Sequence, residues 1–395
     1  MGDVPPSMRP RRILYVQHTA DLYGANRALL HLIGAIDRER YVPLVALPRA
    51  GPIESHLRSL GVEPIIASHI RVLWGYVARS WRMVPFGLSL LPAAIAMRHV
   101  IRHHGADLVH SNTWTTLSGG LGARLAGVPH VWHIREILPN MGGLKPALIT
   151  FSLQNAQRLI CISEAVASQF AGRAGAERVR VIYDGLPLVG DGFVEGKRHR
   201  DCENEHSELV VGLVGRLHPQ KGQADLLHAA ALLDPRLRAR CRFVCVGGSS
   251  PGYEQFPIKL RALARELGVA DRVEWLGFVE DARALTASFD IVALPATQPE
   301  GLGAVLLEAM AARVPVIATR AGGPVEVIAD GVSGLLIPPQ QPAALARALE
   351  RLLGDPQLRR RLGDAGRLAV EQRFSAAQAA DQVEAIYKEL LEPAA

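Results

Sequence analysis

Cysteine is scarce. The 395 residues include four, Cys161, Cys202, Cys241 and Cys245, with no spacing that suggests a disulfide framework. Cys241 and Cys245 stand four apart without a second Cys or His pair nearby, so they make a poor zinc site. The simplest expectation is reduced thiols in the cytoplasm. No Asp-x-Asp occurs, so the chain lacks an obvious carboxylate pair to hold a metal on a diphosphate, and no metal is expected. Lys-rich or aromatic-interleaved segments are also missing and the arginines are dispersed, which argues against nucleic acid as a partner. The glycine-rich stretches "SGGLGARLAG" and "CVGGSSPG" both lack the GxGxxG spacing, Leu125 occupying the third glycine's place in the first, and this counts against a dehydrogenase. The opening "MGDVPPSMRPRRILYVQHT" has no apolar core followed by a cleavage site, so no signal peptide is expected. Pro6 stands where a myristoylation signal has Ser or Thr. The most membrane-like stretch, "MVPFGLSLLPAAIAM", is fifteen residues with two prolines and a glycine. It is expected to be too short and too broken for a span of about 20 residues.

What is present is a globular composition, 49% hydrophobic and 21% charged, in a chain long enough for two domains. The net charge of +6 is uneven. Residues 1–200 hold 23 Lys and Arg against 13 Asp and Glu, and the remainder 21 against 25. The basic half suits an anionic lipid surface or an acidic acceptor, with weak membrane association as one expectation. Thirteen short apolar runs alternate with helical patterns. Seven lie in the first half, "RRILYVQH", "YVPLVAL", "VEPIIAS", "ADLVHSN", "PHVWHIRE", "RLICIS" and "VRVIYDG". Six lie in the second, "ELVVGLVG", "CRFVCVGG", "RVEWLGF", "DIVALPA", "VPVIATR" and "SGLLIPP". Such alternation predicts α/β architecture, here two doubly wound parallel-sheet, Rossmann-like domains facing across a cleft. The expected boundaries are 1–190, a Gly-rich charged linker 191–206, and 207–375, with the terminal helical segment 376–395 packing back on the first domain.

Ligands of such sheets bind beyond the carboxyl ends of strands, so the motifs there carry the chemistry. In "PEGLGAVLLEAMAARVP", Glu308 has Ala304, Val305, Ala311 and Ala312 as helical neighbours, a small apolar face. A carboxylate there is either at the rim of a buried helix or an acceptor for ligand hydroxyls, since an unpaired buried charge is costly. Glu300 lies at the mouth of the same loop, where helix capping is the plain alternative. Between the two glutamates, Gly301, Leu302, Gly303, Ala304 and Val305 present backbone N–H groups at a helix N-terminus, a ready anion site. Carboxylates flanking an anion site suit a ligand with hydroxyls at both ends and phosphates between, as in a nucleotide sugar. "VVGLVGRLHPQKGQADLLHAA" adds a strand ending at Gly215 and a turn carrying Arg216 and Lys221, two cations able to neutralise a diphosphate. It is no P-loop, because Lys221 precedes Gly222 and no Ser or Thr follows. In the first half, His133 ends the run "PHVWHIREI", and Gly24 sits in the first strand-to-helix turn. There a bare backbone can approach a phosphate or sugar, unless it is simply a turn glycine.

"CISE", "VIYDG", "GRLHPQKG", "LGFVED", Glu300-x7-Glu308 and "AGGPVEVIADGVSGLLIPP", in this order along the chain, resemble the retaining glycosyltransferases of family 4, with the GT-B fold. The resemblance covers nearly the whole chain. It implies that Glu308 accepts from the donor ribose, that Glu300 and the amides after it hold the donor sugar, and that Arg216 and Lys221 stabilise the departing diphosphate. It further places Phe278 and Val279 of "GFVED" by the base and His133 near the donor sugar. No metal or other cofactor is implied, and the acceptor attacks on the face the leaving group vacates. The family's first-domain loop has two adjacent glycines where this chain reads "YGAN", with Gly24 alone. The partners implied are a nucleotide-sugar donor and a hydroxyl acceptor. The rivals are a GT-B-type nucleotide-sugar epimerase or phosphorylase and a noncatalytic nucleotide-sugar-binding protein. A phosphorylase would want a pyridoxal lysine, which has no candidate here.

Overall fold

A computed structural model describes residues 9–73, 83–138, 143–188, 208–250 and 252–392. The chain divides into two compact units, residues 1–185 with 376–395, and 186–375.

The first unit is built on seven parallel strands, β1 (Arg11–Val16), β2 (Tyr41–Leu47), β3 (Pro64–Ile66), β4 (Leu108–Ser111), β5 (His130–Ile134), β6 (Arg158–Cys161) and β7 (Val179–Val181). Their order is β3-β2-β1-β4-β5-β6-β7. The second unit has six, β8 (Leu209–Val214), β9 (Cys241–Val246), β10 (Val273–Gly277), β11 (Ile291–Leu294), β12 (Val316–Thr319) and β13 (Leu335–Ile337), in the order β10-β9-β8-β11-β12-β13. All thirteen apolar runs form strands. The central ones are buried from end to end, as β4, β5, β11 and β12 show, because helices cover both faces of each sheet. In both sheets the order reverses beside the first strand, between β1 and β4 and between β8 and β11. Those are the points where ligand crevices open.

The terminal helix Ala376–Leu391 belongs to the first unit. Ala376, Ala380, Val383 and Tyr387 recur every three to four residues and are buried, a stripe that joins the core of the helix Gly24–Ala35. The chain enters the second unit beside its exit, with the Leu186 amide donating to the Phe374 carbonyl at 2.9 Å.

One expectation fails. The stretch read as too short and broken forms an uninterrupted 21-residue helix, Met83–His103, with Pro92 inside it. Pro85 falls in the first turn, where the missing N–H has no intrahelical partner to lose. Downstream of Pro92, Ala93, Ala94, Met97 and Ile101 are buried. The helix Leu117–Ala126 packs against them so closely that a Cβ on Gly122 would come within 2.5 Å of Met97. Gly119 and Gly120 make similarly close approaches to Ser111 and His130, while Gly127 is the left-handed C-cap of the helix. By length and composition Met83–His103 is apolar enough to cross a membrane, with a mean hydropathy of 1.5 over its best window, of which 22% is buried.

Candidate functional site

At the reversal point of the second sheet, the loops after β8 and β11 are stitched together. Thr297 donates its amide to the Gln220 carbonyl (2.9 Å) and its hydroxyl to the Pro219 carbonyl (3.2 Å). Gln223 donates from its side chain to the Arg216 carbonyl at 3.0 Å. The result joins two residues 79 apart in sequence: Lys221 Nζ reaches both carboxylate oxygens of Glu300, at 2.8 and 2.9 Å. Glu300 is 8% exposed, so the pair is held in a largely dry setting where charge matters. Arg216 stands exposed on the turn. Between them His218 caps the short turn Pro219–Lys221, its Nδ1 accepting from the Gln220 amide at 3.1 Å. Accepting requires an unprotonated Nδ1. Burial, and then the Arg216 and Lys221 charges, hold the His218 pKa below its ordinary value.

Glu300 is also fixed through its backbone. Its carbonyl accepts from the Gly323 amide at 2.9 Å, and it bridges to Gly322. Gly322 has φ +70°, and a Cβ there would lie 2.2 Å from the Glu300 carbonyl oxygen. Only glycine permits both the left-handed backbone and the contact. Gly322 and Gly323 are therefore positioning residues that motif reading left unassigned, although "AGGP" was in plain view.

Gly301 and Leu302 lead to Gly303, the left-handed N-cap of the helix Ala304–Ala311. Ala304 and Val305 are its first two residues, and their amides belong to the first turn, which has no intrahelical acceptors. Glu308 lies one turn further on and is half-buried. The strand before this loop ends at Leu294, two residues short of the expected Ala296, since Pro295 has no N–H to continue the ladder. Phe278, half-exposed at 48%, and Val279 follow the end of β10, with β9 between β10 and β8. β8 ends at Val214, one residue short of the expected Gly215, which follows in the bend with its amide donating to the Val246 carbonyl at 2.8 Å.

The first unit carries a second polar cluster at its own strand ends. His133 is 3% exposed on β5. Beyond it Arg135 forms a buried ion pair with Asp184, which follows β7, and donates to Asn112 Oδ1 from NH2 at 2.9 Å. Asn112 also donates to the Gln17 side chain at 3.2 Å. His133 Nε2 lies 3.9 Å from Asp184 Oδ1 and has no hydrogen-bond partner among the described residues. It borders a recess that Arg135, Asp184, Ala28, Leu32 and Val383 also line. Burial, reinforced by the Arg135 charge, holds His133 well below the ordinary imidazole range, so the ring is neutral. Gly24 is the exposed first residue of its helix, and a Cβ there would meet nothing within 4 Å. The loop before it is pinned by Asn26, whose amide donates to Thr19 Oγ1 (3.0 Å) and the Asp21 carbonyl (2.8 Å). Arg135, Asp184, Asn112, Gln17 and Asn26 escaped the sequence reading. The available signal was their place immediately after strands or, for Asn26, in the first turn of the following helix.

Among the described residues, no three His, Cys, Asp or Glu side chains come together as a metal site. Of the four cysteines, Cys161, Cys241 and Cys245 are buried free thiols.

Two family models match. "Glycosyl transferases group 1" covers residues 196–369, and "Glycosyl transferase 4-like domain" covers 23–185. A D-inositol 3-phosphate glycosyltransferase of Salinispora arenicola is 35% identical over 92% of this chain and 88% of its own length. Among solved structures, Anabaena HepE in complex with UDP and glucose superposes with a TM-score of 0.78 at 26% identity, covering 96% of this chain and all of HepE. HepE is also solved with UDP-glucose. Sucrose-phosphate synthase from Thermosynechococcus elongatus shares the fold, with a TM-score of 0.76 at 24% identity over 97% of this chain and 100% of that one.

Proposed function

The chain belongs to the group 1 glycosyl transferases of family 4, enzymes of the GT-B fold, and from that premise we propose that it moves a sugar from a uridine-diphosphate sugar to a hydroxyl acceptor, with retained configuration and without a metal. The observation that carries the reading is the Lys221–Glu300 pair at the sheet's reversal point, beside the first turn of Ala304–Ala311. Breaking the bond between a sugar and a diphosphate develops negative charge on the leaving group and positive charge on the sugar. Arg216, Lys221 and the amides of Gly301 to Val305 stabilise the first, and their fixed placement avoids reorganisation during the reaction. Glu300 takes hydroxyls of the donor sugar, Glu308 those of the ribose, and Phe278 and Val279 flank the base. For His133 and Gly24 of the first unit, the family resemblance supports roles toward the donor sugar and its phosphates. The acceptor attacks the face the leaving group vacates and the departing phosphate takes its proton, so neither a protein nucleophile nor a protein base is needed. HepE's complexes with UDP and UDP-glucose support the carrier. The relative's printed substrate, D-inositol 3-phosphate, supports a phosphorylated polyol as the acceptor class, which agrees with the basic first half.

The test is turnover of UDP-glucose with D-inositol 3-phosphate in excess EDTA, with the anomeric configuration of the product read by NMR. Turnover undiminished by the chelator and an α-linked product from the α-linked donor are expected. Loss of activity that Mg²⁺ restores, or a β-linked product, would refute the corresponding part.

For its place of work, we propose the cytoplasm with weak attachment to anionic membrane. Val84, Leu88, Leu91 and Ile95 are more than half exposed along Met83–His103, and Arg98 and Arg102 continue the exposed face. A helix with this division lies on a headgroup surface through apolar burial and charge together. The full chain should float with anionic liposomes at low salt and be released as salt rises. Failure to float at low salt rejects the attachment.

A further inference from the structure

Behind His133 runs a buried chain of hydrogen bonds that ends on the last helix. Tyr387 donates its hydroxyl proton to the Tyr15 oxygen at 3.0 Å. The same Tyr387 oxygen lies 2.6 Å from His110 Nδ1, and His110 Nε2 lies 3.2 Å from His133 Nδ1. All four side chains are at most 3% exposed.

A phenol has one proton. With that of Tyr387 committed to Tyr15, the Tyr387 oxygen can only accept from His110, so His110 carries its proton on Nδ1. Burial and the nearby Arg135 charge keep both imidazoles neutral. A neutral ring has one N–H, so His110 Nε2 is bare and accepts, and His133 must donate from Nδ1. His133 Nε2 is then a lone pair facing Asp184 Oδ1 across 3.9 Å. Two acceptors facing each other across that gap invite a group that donates.

We infer that Tyr387 and His110 are positioning residues that set the tautomer of His133, making its Nε2 a hydrogen-bond acceptor for a hydroxyl entering the recess beside Asp184. The role of that hydroxyl in sugar transfer rests on the function proposed above; the tautomer does not. Tyr15, which touches neither the recess nor His133's hydrogen bonds, decides the direction of the whole chain.

The experiment is long-range ¹H–¹⁵N NMR of the full chain labelled at histidine, with His133 and His110 assigned by His133→Gln and His110→Gln. Both rings of the wild type should be protonated at Nδ1. Tyr15→Phe removes the acceptor of Tyr387's proton, which then turns to His110. Both rings should switch to Nε2–H, and His133 should become a donor. Tyr387→Phe, which keeps the ring but removes the relay, should leave both rings as mixtures and gives the same answer should Tyr15→Phe fail to fold. A wild-type His133 protonated at Nε2 overturns the inference, as do tautomers that neither substitution changes. In Tyr15→Phe, kcat for sugar transfer should fall about tenfold, the scale of one lost hydrogen bond, with KM unchanged. A tautomer that switches while kcat holds would support the relay and refute the proposed role of His133 in transfer.

Discussion

Lys221→Ala is expected to lower sugar transfer by about 10²- to 10³-fold, because one preorganised charge-stabilising group is worth about 2.7–4 kcal/mol in the transition state. Its effect has a second source. In the free protein Lys221 neutralises Glu300, and without it a carboxylate that is only 8% exposed faces an incoming diphosphate. UDP binding should therefore weaken in Lys221→Ala. The double variant Lys221→Ala/Glu300→Gln should recover part of that binding without recovering turnover, a coupling expected of residues in direct contact. The fold should survive, since Lys221 lies in a short turn held by backbone contacts from Thr297 and by the His218 cap. Steady-state kinetics and UDP titration of the wild type and these two variants check the prediction. Wild-type rates in folded Lys221→Ala would remove this residue from the chemistry.

The pairing behind that prediction was not legible in the sequence, although both partners were. Arg216 and Lys221 stood out because they follow a strand, and Glu300 and Glu308 because they bracket an apolar helix start. That Lys221 and Glu300 touch is a consequence of strand order. β8 and β11 are neighbours although two strands intervene in the chain, and no local pattern encodes that adjacency. The same holds for Arg135 and Asp184, 49 residues apart, and for Tyr387 and His110, 277 apart. The strands themselves were legible because fully buried parallel strands must be short, apolar and β-branched. The terminal helix was legible because its stripe repeats with helical spacing. The misreading of Met83–His103 came from weighing prolines as breakers. One fell in the first turn, and the other precedes a segment secured by close packing on Leu117–Ala126.

Glu308 gives the second large effect and the most direct test. If its carboxylate accepts from the two ribose hydroxyls, each bond to the charged group contributes about 1.5–3 kcal/mol. Glu308→Gln keeps the shape and loses the charge, so it should raise the Kd of UDP by about tenfold to a hundredfold. Glu300→Gln should instead depress turnover more than UDP binding, because UDP carries no donor sugar for Glu300 to hold. The measurement is calorimetric titration of wild type and Glu308→Gln with UDP and with 2′-deoxy-UDP. The wild type should bind the deoxy form at least about tenfold more weakly, and Glu308→Gln should discriminate little between the two. Equal binding of both forms by the wild type, or binding of neither, would contradict the assignment of this loop and helix to the donor nucleotide.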